Sequence, residues 1–256
     1  MTDFLFVDSG TGGLPYLEQL KKVCPSASCV YIADNKNFPY GTKTHSQIVE
    51  CITGTLETYI PLYKPRAVVV ACNTISVNAL EDLRSHFKDL PFVGTVPAIK
   101  VAASLTKTRR IGLLATKATV ENPYVMHLKE EFAADCTLIL RDDTDLIDYI
   151  ERRSFSATDA ENDAACVPAV NFFLENQVDA IILGCTHFLN LKENFQRVAK
   201  DKAVIVDSRE GVVKRALSVV KMDCNQEEKP ETPAKLIITG DKKDYEAVCK
   251  RYNLAL

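Results

Sequence analysis

The stretch Asp179-Ala180-Ile181-Ile182-Leu183-Gly184-Cys185-Thr186-His187 decides the reading of this chain. Ala180–Leu183 is wholly apolar and half isoleucine, the composition of a strand buried on both faces of a parallel sheet. The strand stops at Gly184, and a thiol, a hydroxyl and an imidazole follow without a break. In open α/β sheets, ligands lie at the carboxyl ends of strands, where the next helix begins. A cysteine there faces the positive end of a helix dipole, which favours thiolate over thiol. The arrangement occurs twice. Ala67-Val68-Val69-Val70-Ala71-Cys72-Asn73-Thr74 also runs an apolar strand into a cysteine and two small polar residues.

Outward from these two stretches, apolar segments predict strands at Phe4–Val7, Cys29–Ala33, Ala67–Ala71 and Phe92–Val96. A second set falls at Ile111–Ala115, Thr137–Leu140, Ala180–Leu183 and Ala203–Val206. Stretches with helical spacing lie between them, for instance Ser46–Tyr59 and Ala164–Asn176, and strand–helix–strand alternation means a parallel sheet. Strand starts are separated by about 25, 38 and 25 residues in the first set and about 26, 43 and 23 in the second. The third strand of each set ends in a cysteine. We read two copies of a four-stranded doubly wound unit, with a boundary near Pro97. Packed face to face about a pseudo-twofold axis, the copies would set Cys72 and Cys185 on opposite sides of one cleft. Asp223–Pro233 reads as an exposed loop, Lys235–Thr239 as a short strand and Asp241–Tyr252 as a closing helix.

The bulk composition narrows the function. The 256 residues suffice for two domains with separate cores. A net charge of −3 with no basic stripe argues against a nucleic-acid partner. The apolar runs have strand length, far short of the roughly 20 residues of a membrane span, so no membrane association is expected. Met1-Thr2-Asp3 lacks the basic start of a secretory signal, and a cytoplasmic location is expected. The nine cysteines contain no C-x-x-C pair, which disfavours a zinc ribbon or thioredoxin-type motif. In a reducing compartment most of them serve as small buried hydrophobes. Cys24, Cys29 and Cys249 are read this way.

Several residues then stand out, each with a purely structural alternative. Asp8-Ser9-Gly10-Thr11-Gly12-Gly13 follows the first strand, and its glycines let backbone N–H groups approach an anion. It matches neither G-x-x-x-x-G-K-[ST] nor G-x-G-x-x-G, so a carboxylate suits it better than a nucleotide phosphate. The alternative is a tight turn in which Asp8 caps the helix. Asp34-Asn35-Lys36-Asn37-Phe38-Pro39-Tyr40-Gly41-Thr42 follows the second strand and is either a binding loop or a solvated turn. Cys72 and Cys185 are either reactive thiols or packing. His187 pairs with Cys185 as a metal ligand or as a group that tunes its proton; with two ligands and no partner cluster, metal is disfavoured. His45, His86 and His127 lie in polar helical stretches and read as surface residues.

Two thiols on opposite faces of a small molecule suit one kind of chemistry. The thiolate removes a proton from carbon, the opposite thiol returns one to the other face, and the centre inverts. A reaction that runs both ways needs two equivalent groups, which a duplicated chain supplies. Backbone donors must also hold the carboxylate beside the developing carbanion.

Four segments, in this order and at these separations, resemble the signatures of the glutamate racemase family. They are Asp8-Ser9-Gly10-Thr11-Gly12-Gly13-Leu14, Pro39-Tyr40-Gly41-Thr42-Lys43, Ala71-Cys72-Asn73-Thr74 and Gly184-Cys185-Thr186-His187. Ala115-Thr116-Lys117-Ala118-Thr119-Val120 and Ile238-Thr239-Gly240-Asp241 also resemble family segments. The resemblance implies an α/β fold of two flavodoxin-like domains, residues 1–97 with 207–256 and residues 98–206, with the active site in the cleft between them. It implies a cofactor-independent racemase that interconverts L- and D-glutamate and supplies D-glutamate for peptidoglycan. Cys72 and Cys185 would be the proton donors and acceptors, with Asp8 assisting Cys72, and His187 and Glu151 assisting Cys185. Asp8, Ser9, Tyr40, Gly41, Asn73, Thr74, Thr186 and His187 would hold the substrate. No metal or cofactor is implied, and the partners would be glutamate and a second copy of the chain in a homodimer. Val96-Pro97-Ala98-Ile99 stands where family members often carry Glu-Pro-Gly. Racemisation of aspartate or another substrate of the same superfamily, and non-catalytic binding of a dicarboxylate between two lobes, remain as alternatives. A pyridoxal enzyme would need a Schiff-base lysine, and the motif core holds none except Lys43.

Overall fold

Alternating apolar strands and amphipathic helices fold into two parallel sheets in a computed structural model that describes residues 2–224, 232–242 and 245–254. The chain divides into two compact units, Met1–Thr95 with Arg209–Leu256, and Val96–Ser208.

The first unit begins with β1 (Thr2–Asp8), α1 (Leu14–Val23) and β2 (Cys29–Ala33). Single 3-10 turns at Asn35–Asn37 and Tyr40–Thr42 lead to α2 (His45–Tyr63), β3 (Pro65–Val70), α3 (Asn73–His86) and β4 (Phe92–Gly94). The second unit contains α4 (Ile99–Leu105), β5 (Arg110–Ala115), α5 (Lys117–Val120), α6 (Pro123–Phe132), β6 (Thr137–Asp142) and α7 (Thr144–Arg152). It continues with α8 (Asp159–Glu175), β7 (Ala180–Leu183), a 3-10 segment at Thr186–Leu191, α9 (Lys192–Ala199) and β8 (Val204–Val206). The chain then returns to the first unit with α10 (Arg209–Val220), β9 (Lys235–Ile238) and α11 (Glu246–Tyr252).

The strand order is β4-β3-β1-β2-β9 in one sheet and β6-β5-β7-β8 in the other, with every neighbouring pair parallel. Matching β1–β4 to β5–β8 in chain order makes the two arrangements the same. The repeat read from strand spacing is therefore present as topology, and β9 is an addition to the first sheet alone. Each core follows from the alternation of strand faces. In the first unit Leu5, Val7, Val68 and Val70 pack against Ile48, Ile52 and Leu56 of α2 and Ile75, Ala79 and Leu83 of α3. In the second, Ile111, Leu113, Ala180 and Ile182 pack against Ile99 and Ala102 of α4 and Val125 and Leu128 of α6.

The sequence boundaries shift at several ends. The third strand starts at Pro65 and stops at Val70, because Ala71 already belongs to the turn into α3. The fourth stops at Gly94, where Thr95 bonds to Ser76 rather than to a strand. The sixth runs on to Asp142 because Arg141 and Asp142 stay in register with Leu114 and Ala115. The closing helix starts at Glu246, with residues 243–244 outside the described set. The expected loop at Asp223–Pro233 lies outside the described residues over 225–231. Among the described residues, no helix is long and apolar enough to cross a membrane.

Candidate active site

The candidate residues form two constellations, one in each unit. In the first, register brings the strand ends level: Val7 pairs with Val70 and Asp8 with Ala33. Ala71 N donates to Val7 O at 2.8 Å, so the segment carrying Cys72 leaves β3 beside the segment carrying Asp8. Cys72 is the N-cap of α3, with extended backbone (φ −143°, ψ 117°), and its carbonyl accepts from Ser76 N at 2.9 Å. Its thiol thus sits at the positive end of a fourteen-residue helix. Asn73 and Thr74 follow it inside the first turn, both buried. The Asn73 side chain is the exception in this packed region: both Oδ1 and Nδ2 are buried without a hydrogen-bond partner. Burial of two unpaired polar atoms is costly unless something satisfies them.

Asp8 is fully buried and does not cap α1, whose N-cap is Gly13 without a side-chain bond. Its Oδ1 instead accepts from Ser9 N at 2.7 Å. The loop after Asp8 is held by Tyr31 of β2. The Tyr31 hydroxyl donates to Gly10 O at 3.0 Å and accepts from Gly13 N at 2.9 Å, with Asp8 Oδ2 at 3.5 Å. Position 13 admits only glycine, since a Cβ there would lie 2.6 Å from Ala71 O and 2.8 Å from the Tyr31 hydroxyl oxygen. Tyr31 was hidden from sequence inspection because an aromatic on a strand ordinarily reads as core.

The loop after β2 is ordered, not a solvated turn. Asp34 is fully buried, Tyr40 nearly so, and the Tyr40 hydroxyl donates to Asp34 Oδ2 at 2.6 Å. Burial, then the Asp34 carboxylate, push the Tyr40 phenol far up, with the Cys51 and Cys72 thiols adding to the effect. Gly41 lies in the same 3-10 turn, half-buried.

In the second unit Cys185 follows β7 with extended backbone, but what it caps is the 3-10 segment Thr186–Leu191 rather than an α-helix. An α-helix dipole therefore bears on Cys72 and not on Cys185. What Cys185 has instead is an imidazole. His187 Nδ1 lies 3.7 Å from Cys185 Sγ, and its Nε2 lies 2.9 Å from Glu151 Oε2 at the end of α7. Cys185, His187 and Thr186 are buried, and the Glu151 side chain is 8% exposed. Burial alone would lower the His187 pKa, but its hydrogen bonds and charge interactions with Cys185 and Glu151 outweigh that and raise it well above the ordinary histidine value. The chain thus presents a thiol–imidazole–carboxylate relay, whose middle member can pass a proton or hold a positive charge beside sulfur.

The other groups behave as bystanders. Burial pushes Cys29 and Cys166 up to about 12, so they stay protonated. His45, His86 and His127 are exposed and pair with Asp82, Glu57 and Glu131. Among the described residues, no group of three or more histidine, cysteine, aspartate or glutamate side chains is disposed to hold a metal ion.

Known proteins share this sequence and fold. The chain is 39% identical over 246 residues to a glutamate racemase of Treponema pallidum (strain Nichols), covering 96% of this chain and 89% of that one. It is 37% identical over 220 residues to a glutamate racemase of Proteus mirabilis (strain HI4320), covering 86% and 76%. The Escherichia coli glutamate racemase, solved in complex with L-glutamate and the activator UDP-MurNAc-Ala, superposes with a TM-score of 0.82 at 29% identity, covering 98% of this chain and 96% of that one. The description Asp/Glu/hydantoin racemase matches residues 15–216, and the chain belongs to that family.

Proposed function

We propose that this chain is a cofactor-independent glutamate racemase in which Cys72 and Cys185 act on one α-carbon from opposite faces. The observation that carries this reading is the matched setting of the two thiols. Each follows the third strand of a sheet with the same strand order, and each is buried with small polar residues directly after it. Asn73 and Thr74 stand behind Cys72, and Thr186 and His187 behind Cys185, while Cys72 also touches the apolar cluster of its unit. The relatives named glutamate racemase, and the E. coli enzyme with L-glutamate bound, support glutamate as substrate.

In one direction a thiolate takes the α-proton, and the electron pair left on carbon is delocalised into the α-carboxylate. The opposite thiol then donates its proton to the other face, and the roles are exchanged. Asp8 serves Cys72 as proton acceptor and donor; His187, held by Glu151, serves Cys185. Ser9, Tyr40, Gly41, Asn73, Thr74 and Thr186 bind the carboxylates and amino group, and Asn73 brings an amide whose donors and acceptor are unused. The product is D-glutamate for peptidoglycan, made in the cytoplasm, and the working form is a homodimer.

The test is circular dichroism of L-glutamate, and separately L-aspartate, with purified protein in deuterated water. Loss of optical activity with glutamate and deuterium at the α-carbon are expected, and Cys72→Ala or Cys185→Ala abolishes racemisation without unfolding the protein. Near-normal turnover in both directions by either single variant would sink the two-thiol assignment. Activity with aspartate alone would move the substrate and keep the chemistry.

A further inference from the structure

The sheet of the first unit has a strand without a counterpart in the second. β9 adds to the β2 edge in parallel register, Ala33 against Ile238, and its end delivers Thr239 to the start of the loop that carries Tyr40 and Gly41. There the two segments are laced together. Thr239 N donates to Ala33 O at 3.1 Å, Thr239 Oγ1 donates to Asp34 Oδ1 at 2.7 Å, and Lys36 N donates to Thr239 Oγ1 at 3.2 Å. Gly240 N donates to Asn35 Oδ1 at 2.7 Å, and Asn35 Nδ2 donates to Asp241 O at 2.6 Å.

Asp34 is the centre of this lacing. Besides Thr239 it accepts from Tyr40 Oη at 2.6 Å, from Thr55 Oγ1 of α2 at 3.1 Å and from Asn37 Nδ2 at 3.0 Å on Oδ2 and 3.2 Å on Oδ1. Its own N–H donates to Asp8 O at 2.8 Å. A carboxylate offers about four acceptor positions, and four side chains fill them. Asp34 therefore has no lone pair left for a substrate proton. It joins β2, the Tyr40 turn, α2 and the returning C-terminal segment at one buried point.

We propose that Asp34 is a positioning residue for substrate binding, and that Thr239, supplied by the added edge strand, locks it so that Tyr40 and Gly41 stand ready for glutamate. This rests on the glutamate racemase reading for the substrate, but the locking of the loop does not. Thr239→Val keeps the side-chain volume and removes both hydroxyl bonds, and Thr239→Ser keeps the hydroxyl. Gly240→Ala perturbs the same junction differently, since a Cβ there would lie 3.0 Å from Lys36 N and 3.0 Å from Asn35 Oδ1. It supplies the second variant should Thr239→Val fold poorly.

Two readouts separate the parts. Amide hydrogen exchange over residues 35–42 is expected to speed up by about tenfold in Thr239→Val, the factor one hydrogen bond to a charged group is worth, and to return to the wild-type rate in Thr239→Ser. In steady-state racemisation, KM for both enantiomers of glutamate is expected to rise by about threefold or more, exceeding any fall in kcat, as loss of binding requires. Unchanged exchange in both Thr239→Val and Gly240→Ala overturns the locking. Faster exchange with unchanged KM, or a fall in kcat alone, overturns the link to substrate. Faster exchange in a protein whose wild type does not racemise glutamate upholds the locking and removes the glutamate reading instead.

Discussion

Replacing Asn73 with leucine tests the site through its cost to the ligand-free fold. Both polar atoms of the Asn73 amide are buried without partners, and the residue is 2% exposed. Leaving a buried polar group unsatisfied costs about 1–3 kcal/mol. Leucine matches the shape and carries no polar atom, so Asn73→Leu should stabilise the ligand-free protein by about 1–3 kcal/mol if one such group dominates. The position lies in the first turn of α3, where leucine brings no helix penalty. With Asn73 binding the substrate as proposed, the same change removes hydrogen bonds to a charged ligand, worth about 1.5–3 kcal/mol. At about 1.4 kcal/mol per factor of ten, KM for glutamate should rise by about 10–150-fold. Urea unfolding with and without glutamate, alongside steady-state racemisation, measures both effects. The midpoint without glutamate should rise, and its further rise on adding glutamate should largely vanish. A variant less stable than wild type, or one that keeps the wild-type KM, would refute the reasoning.

Two further outcomes follow from the buried groups around the thiols. His187 is raised above the ordinary histidine pKa by Cys185 and Glu151, so its protonation binds a proton more tightly in the folded protein than in the unfolded chain. The stability it contributes is fully present below the unfolded value of about 6.5 and is lost as pH rises through the folded value. Glu151→Gln should bring that loss to lower pH, readable as the His187 imidazole titration by NMR and as the pH dependence of the urea midpoint; an imidazole titrating below the ordinary value in the wild type would contradict this. Tyr31→Phe strips the partner from the buried Gly13 N–H and from Gly10 O, and should cost about 1–3 kcal/mol of stability. It should also lower racemisation by loosening the Asp8 loop. Calorimetry and the dichroism assay together check it, and unchanged values in both would remove Tyr31 from the site.

Much of this could be seen in the order of residues, because it depends on local chemistry. Runs such as Ala180–Leu183 and Cys29–Ala33 keep their predicted limits in the structure, since a strand buried on both faces tolerates only apolar residues. Even spacing exposed the duplication that the two sheets share. The cysteines at the ends of the third strands, and the imidazole two residues after Cys185, were visible for the same reason: each is attached to its strand by covalent chain. The 3-10 geometry after Cys185 was not, because it is decided by how Thr186–Leu191 packs, not by its composition.

What only tertiary structure decided is which distant groups meet. Glu151 and His187 are 36 positions apart, and Asp34 and Thr239 are 205 apart. No periodicity links such pairs; the end of α7 comes to the 3-10 segment, and β9 comes to β2, only when apolar faces are buried. Once there, the buried groups must find partners, as Tyr31 does between Gly10 and Gly13 and as Asp34 does four times over. Asn73, left without any in the same environment, shows the converse. The sequence by itself determined the parallel α/β class, the repeat and the two thiols. The meetings of Glu151 with His187, of Tyr31 with Gly10 and Gly13, and of Thr239 with Asp34 were set by long-range packing, because hydrogen bonds between distant segments form only after the hydrophobic core has brought those segments together.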